Sequence, residues 1–421
     1  MHHFNYQNEE LYCENLPLTR IAAEVGTPAY IYSHATLTRH YKAFDQAFKD
    51  HPHLTCYSIK SSSNLSIIRL FSNMGGGADI VSGGELFRAL KAGVPADRIV
   101  FSGVGKTRGE IRSAIETNIL MFNVESSQEI DLINDVAREM GSKARVALRV
   151  NPDIDPKTHP YISTGLKQQK FGIPFEQAVP EYCRAKDMPG LEIVGIDCHI
   201  GSQLTEVSPF TDTVARLLSL INNLAKQGIK LRYLDLGGGL GVTYNNENPP
   251  DPGEYACAIR EAVGDCDLTL ILEPGRVLVG NAGVLLTRVL YTKPGLDKTF
   301  IIVDAAMNDL IRPSLYDSFH AIQPVRIESR PEIMADVVGP ICESGDFLAH
   351  DRSLPEFKPG ELMAVMSAGA YSYSMSSNYN SRPRPAEILV RGDQYQIIRH
   401  RETYEDLVRG EEIPAFLREG T

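Results

Sequence analysis

The sequence predicts an α/β chain: a (β/α)8 TIM-like barrel followed by a C-terminal β-sandwich or β-barrel domain. Three observations carry that expectation. Eight short apolar, β-rich runs alternate with amphipathic helical stretches over residues 28–280. Beyond residue 280 the strand-like runs follow one another without helices of comparable length between them. Finally, polar residues or glycines recur at the exits of the otherwise apolar runs. Alternation of this kind implies parallel βαβ units, and eight of them close most naturally into a barrel whose chemistry gathers at the C-terminal strand ends. An open doubly wound sheet is the alternative, but no G-x-G-x-x-G follows the first run.

Taken in order, residues 1–27 read as a short tail, expected to pack on the β domain because chain ends often lie close together. The eight strands are expected at 56–59, 78–81, 99–102, 119–124, 145–150, 194–199, 233–236 and 268–272. Helical stretches lie at 63–74, 84–92, 126–140 and 209–227, the last with the i, i+3, i+4 spacing of Val214, Leu217, Leu218 and Ile221. Residues 151–174, rich in Pro, Asp, Lys and Gly, form a long βα loop, either a lid or an irregular excursion. The β domain, 281–421, has strand candidates at 282–291, 298–303, 361–366, 387–390 and 394–398.

Composition narrows the partners. The 421 residues are 43% hydrophobic and 23% charged, and the net charge of −11 argues against nucleic acid and acidic membranes. No 18-residue apolar run occurs, and the first residues lack the basic and apolar regions of a signal peptide. Seven cysteines without a C-x-x-C pair predict neither a disulfide framework nor a zinc site, and a reducing cytoplasm is expected. No metal is expected at His199 either.

The strand exits read Lys60, Asp79, Ser102, Asn123 with Glu125, Arg149 with Asn151, His199, Gly237-Gly238-Gly239 and Glu273. A lysine ending an apolar run is either a solvated cap or an amine whose proton burial loosens, freeing it to attack a carbonyl. Convergence of the other exits on one barrel mouth favours the nucleophile. The glycine run is either a phosphate cradle of backbone N–H groups or tight-turn packing. Glu273 is placed to keep a heterocyclic nitrogen protonated, or else to pair with Arg276 three residues on. His199 is a stacking or proton-handling group, or a structural one. In the β domain, Arg312 and Tyr316 suit a carboxylate. Cys342, beside Glu343 in a glycine- and acid-rich stretch, reads as part of an exposed turn.

Six motifs, Tyr57-Ser58-Ile59-Lys60, His199-Ile200-Gly201-Ser202, Gly237-Gly238-Gly239, Glu273-Pro274-Gly275-Arg276, Cys342-Glu343-Ser344-Gly345-Asp346 and Gly369-Ala370-Tyr371, occur in this order. Together they resemble the fold type III pyridoxal-phosphate enzymes, and among them the diaminopimelate decarboxylase family, from about residue 27 to residue 387. Ser61 stands where that family commonly has alanine.

The resemblance implies pyridoxal 5'-phosphate as cofactor. Lys60 is then the Schiff-base lysine and His199 the group stacked on the ring. Gly238, Gly239, Gly275, Arg276 and Ser202 hold the phosphate, and Glu273 pairs with the pyridinium nitrogen. Asp79 and Tyr371 belong to the same cofactor site. A glutamate facing that nitrogen strengthens the ring as an electron sink and points to decarboxylation over racemisation. Arg276, Arg312 and Tyr316 are implied to clamp the far carboxylate of the substrate, Glu343 to accept its far amine, and Tyr371 to touch it. Cys342 is the implied acid that reprotonates the α-carbon, reaching the other subunit's site in a homodimer. The implied reaction converts meso-2,6-diaminopimelate to L-lysine and carbon dioxide, the final step of lysine biosynthesis. Rivals are a carboxynorspermidine or basic amino-acid decarboxylase and a non-catalytic pyridoxal-phosphate carrier, although such carriers lack a β domain.

Overall fold

A computed structural model describes residues 2–154 and 170–418 of the chain, so residues 155–169, most of the expected long loop, lie outside the described residues. The chain forms two compact units, each discontinuous in sequence. One joins Ala35–Ala282 to Gly369–Ser374; the other joins His2–His34 and Gly283–Ala368 to the chain from Met375 onward.

The first unit is a closed barrel of eight parallel strands: His53–Ser58, Gly77–Ile80, Ile99–Phe101, Met121–Val124, Ala144–Asn151, Leu191–Asp197, Tyr233–Asp235 and Thr269–Leu272. Each pairs with its successor, and Leu270 opposite His53 brings the last strand back to the first. Short apolar segments buried on both faces can satisfy their backbone groups only by such continuous pairing. The barrel interior packs Cys56, Val100, Met121, Ala147, Val194 and Ile271, all fully buried. Burying each large apolar side chain contributes roughly 1.5–3 kcal/mol.

Soon after many strand exits a capped helix begins. Asn64, Ser82, Thr107, Ser126 and Asp251 each accept a backbone N–H of the following helix, and Thr107–Glu110 and Asp251–Glu254 form reciprocal capping boxes. These caps satisfy donors that the first helical turn leaves unpaired, which keeps the loops short and the exit residues fixed. Among the described residues no helix is long and apolar enough to cross a membrane.

The second unit is mostly β. Its main sheet runs Phe347–Pro355, Glu332–Val338, Thr299–Val303, Gly283–Pro294, Ala29–Ser33, Ala386–Arg391, Gln394–Arg399, with Ile322–Pro324 and Leu362–Val365 attached. Residues 1–27, read from sequence as a tail, contain a three-stranded sheet, Phe4–Gln7, Glu10–Cys13 and Leu16–Pro17, and the helix Leu18–Glu24. Phe4, Leu11, Leu16, Leu18 and Ile21 share an apolar core with Ile31, Val284, Leu286 and Ile388.

Two segments fall in a different unit from the 28–280 division. Ala29–Ser33 is buried along its whole length and lies between Gly283–Pro294 and Ala386–Arg391, so its backbone is satisfied inside the second unit's sheet. Residues 369–374 return to the barrel unit, where the Gly369 N–H donates to Gly280 O at 2.9 Å and the Tyr371 N–H to Ser61 O at 2.7 Å. A Cβ at position 369 would stand 1.8 Å from Val279 O, so this approach requires glycine.

Candidate active site

The barrel mouth gathers residues from four strand exits. Lys60, His199, Ser202, Gly237-Gly238-Gly239, Glu273, Gly275, Arg276 and Tyr371 all line one pocket. Lys60 itself sits in a 3-10 turn, Ile59–Ser61, just beyond the strand that ends at Ser58. Its Nζ donates to Asp79 Oδ2 at 2.5 Å; Asp79 is fully buried, while the lysine side chain keeps 37% of its exposure.

That pair corrects one sequence expectation. Burial does oppose the charge on Lys60, but Asp79, then Tyr371 and Glu273, outweigh it and hold the ammonium well above its ordinary range. The resting amine is therefore protonated rather than poised as a free nucleophile. Asp79 also accepts from Ser58 Oγ at 2.7 Å, which fixes it beneath the lysine.

On the other side of the pocket the glycine run follows the strand Tyr233–Asp235. Gly238 and Gly239 have no room for a side chain: a Cβ would lie 2.3 Å from Glu273 O at the first and 2.5 Å from Gly201 O at the second, where φ is +120°. His199 is nearly neutral in this setting. Burial first, then the charges of Arg149 and Lys60, push its imidazole well below the usual range, and Nδ1 accepts the Gly238 N–H at 3.3 Å. Arg276, 7% exposed, donates to Tyr244 Oη at 2.8 Å and to Ser202 Oγ at 3.1 Å, with its guanidinium 4.9 Å from the centre of the Tyr371 ring. The local Glu273–Arg276 pair considered from sequence does not occur: Arg276 is engaged by Ser202 and Tyr244, and Glu273 faces inward.

Glu273 is 6% exposed and meets Asn123 Nδ2 at 3.3 Å and Ser102 Oγ at 3.4 Å. Its carboxylate, with those of Asp197 and Asp235, forms a trio of oxygens within 4.8 Å of one another. Protein donors reach into the trio: Asn123 Nδ2 lies 2.9 Å from Asp235, and Arg149 Nε lies 3.9 Å from Asp197. Burial, then the Asp235 charge, raise the Glu273 and Asp197 carboxyls well above the usual range. Both are therefore held as acids more readily than surface carboxylates.

The sequence places Arg149 among the polar strand exits without a specific task, and gives Asp197 and Asp235 none. Arg149, 6% exposed, bonds Glu125 at 2.8 Å and the His199 carbonyl at 3.2 Å, so it ties two exits together. Asp197 and Asp235 are register partners on neighbouring strands, a pairing that a single strand's pattern does not display.

Arg312, Tyr316, Cys342 and Glu343 belong to the second unit. Arg312, 5% exposed, begins the helix Arg312–Tyr316 and donates to Ser318 Oγ at 3.2 Å. Cys342 and Glu343 are exposed on a turn held from beneath. There Asp346 accepts the N–H groups of Met307 and Ile341, each at 2.7 Å, and Asn380 Oδ1 accepts the Cys342 N–H at 2.8 Å.

Comparison with known proteins places this geometry in context. Residues 34–280 match the family described as pyridoxal-dependent decarboxylase, pyridoxal binding domain. The chain is 53% identical over 410 residues to the diaminopimelate decarboxylase of Pseudomonas aeruginosa, covering 97% of this chain and 99% of that protein. Its structure is similar to diaminopimelate decarboxylase from Helicobacter pylori complexed with L-lysine (TM-score 0.90, 45% identity, 93% of this chain and 98% of that one). It is also similar to the enzyme from M. jannaschii in co-complex with L-lysine (TM-score 0.94, 38% identity, 98% of each chain).

Proposed function

Because the chain belongs to the diaminopimelate decarboxylase family of pyridoxal-dependent decarboxylases, we propose that it converts meso-2,6-diaminopimelate to L-lysine and carbon dioxide. The reading places the enzyme in the cytoplasm, acting as a homodimer, at the final step of lysine biosynthesis. One observation carries it: an amine, a neutral imidazole, a side-chain-free glycine loop and a buried acid from four different strands face one pocket.

The residues present suit pyridoxal phosphate. The glycine loop lines the pocket with backbone alone, since a Cβ at Gly238 or Gly239 would collide, Arg276 and Ser202 stand beside it, and Glu273 and Lys60 line the same pocket. When bound, that cofactor supplies an electron sink for the pair left behind as carbon dioxide departs.

The chain's own groups have distinct tasks. Lys60 is the amine that would carry the cofactor, and Asp79, 2.5 Å away, orients it and balances its charge until then. Glu273, raised by burial and by Asp235, would hold the ring nitrogen by sharing a proton with it. His199, deprived of charge, offers a flat uncharged face and does not compete for the phosphate as a cation. The roles that the family resemblance implies give Arg276, Arg312 and Tyr316 the far carboxylate, Glu343 the far amine, and Tyr371 a contact with cofactor or substrate. A substrate with both groups at each end needs such a two-signed pocket, whereas a diamine-forming decarboxylase needs only acids there. Cys342 returns a proton to the carbon that lost its carboxylate. Its exposure, with that of Glu343, suits a turn that enters the partner protomer's pocket.

The test is to supply purified protein and pyridoxal phosphate with diaminopimelate, ornithine, arginine or carboxynorspermidine and to measure released carbon dioxide. Release from diaminopimelate alone is expected; preference for another member of the panel would overturn the substrate assignment.

A further inference from the structure

Asp235 lies at the end of the strand Tyr233–Asp235, is fully buried, and connects two halves of the pocket. Its Oδ1 accepts the Gly237 N–H at 2.9 Å, and its Oδ2 accepts Asn123 Nδ2 at 2.9 Å. The same amide nitrogen lies 3.3 Å from Glu273 Oε1, while the Glu273 N–H donates to Gly237 O at 2.8 Å. Asp235 is thus bonded to the first residue of the glycine loop and, through one shared amide, to the buried acid.

We propose that Asp235 is a positioning residue: with Asn123 it fixes the Glu273 carboxyl and supplies the interior negative charge that keeps the cofactor's ring nitrogen protonated. The inference rests on the reading of this pocket as a pyridoxal-phosphate site. Glu273 and Asp235 share one amide donor, and a ring nitrogen that shares a proton with the Glu273 carboxyl would complete the Glu273 side of the pair. The charge assignment follows the same geometry. Burial pushes the Asp235 carboxyl up to about 6 against the opposing bonds from Asn123 and Gly237, and burial with the Asp235 charge raises Glu273 as well. The two acids thus bias each other across the shared amide.

The experiment loads the whole chain with pyridoxal phosphate carrying nitrogen-15 in the ring and compares its chemical shift in the parent, Glu273→Gln and Asp235→Asn. Borohydride reduction followed by peptide mapping checks in each case that the label sits on Lys60. Asp235→Asn is expected to move the ring nitrogen at least halfway from the parent position towards that of Glu273→Gln. The double exchange Asn123→Asp with Asp235→Asn keeps one carboxylate and one amide in the pair with roles reversed, and is expected to return the shift to the parent position. A parent-like shift in Asp235→Asn with cofactor attached overturns the inference. So does a loss of cofactor affinity alone, common to both variants and with the shift unmoved, because a role limited to supporting the glycine loop predicts that result. Failure of the parent chain to retain cofactor on Lys60 would instead remove the reading on which the inference rests.

Discussion

Replacing Asp235 with asparagine should make the cofactor-free chain more stable at neutral pH than at acid pH, relative to the parent. Asp235 is fully buried, and Asp79, Asp197 and Glu273 face it, together with Cys56, Cys198 and Tyr255. Its carboxyl rises from an ordinary 3.8 to about 6 on folding. A folded-state carboxyl that holds its proton more tightly than the unfolded one destabilises the fold only once the unfolded group has ionised. The penalty is absent below pH 3.8, grows between 3.8 and about 6, and is complete above that. That rise corresponds to about 3 kcal/mol. Asparagine escapes this penalty, and it also removes a charge that raises Glu273, an effect of the same sign. Against it stands a pH-independent loss of about 1 kcal/mol, because an NH2 group then faces the Asn123 amide donor. The variant-minus-parent stability should therefore climb by about 3 kcal/mol between pH 4 and pH 7. Urea unfolding of both cofactor-free chains across that range, with equal m-values, measures it. A difference that stays flat, or that grows towards acid, would refute the reasoning.

Further outcomes follow from the same geometry. Lys60→Ala should abolish borohydride-fixed labelling and turnover together, checked by peptide mass and carbon dioxide release. Gly238→Ala puts a Cβ 2.3 Å from Glu273 O. The collision should cost about 1–3 kcal/mol and raise the cofactor dissociation constant about tenfold or more, read by fluorescence titration; normal affinity would return the glycine run to simple turn packing. Cys342→Ala should slow product formation about 100-fold while cofactor absorbance is unchanged, and full activity would remove the thiol as proton donor. Arg312→Ala should raise the KM for diaminopimelate about 30-fold or more, at the lower end for a lost buried charge contact, with cofactor affinity unaffected.

The barrel was legible because its strands are short, mostly apolar and separated by capped helices, signals that local pattern carries. Glu332–Val338 and Phe347–Pro355 escaped notice because charged residues interrupt them and their shared ladder contains bulges, so neither period 2 nor a continuous apolar run survives. The first 27 residues looked like a tail because each strand there has at most four residues. Lys60, His199, the glycine run and Glu273 could be read as strand exits. The trio of Asp197, Asp235 and Glu273 could not, since it arises only when three strands are laid side by side in register. Likewise the charge state of Lys60 depends on Asp79, which a neighbouring strand delivers.

The return of residues 369–374 to the barrel has a consequence for synthesis. All eight staves exist once Leu272 has been made, yet Tyr371, whose backbone is tied to Ser61, emerges roughly a hundred residues later. A ribosome adding about 5–20 residues per second spends several seconds over that interval. Throughout it the nascent barrel has a gap in its rim, and a fragment ending at residue 282 never closes it. Capacity to hold the cofactor fully is thereby deferred until translation is almost finished.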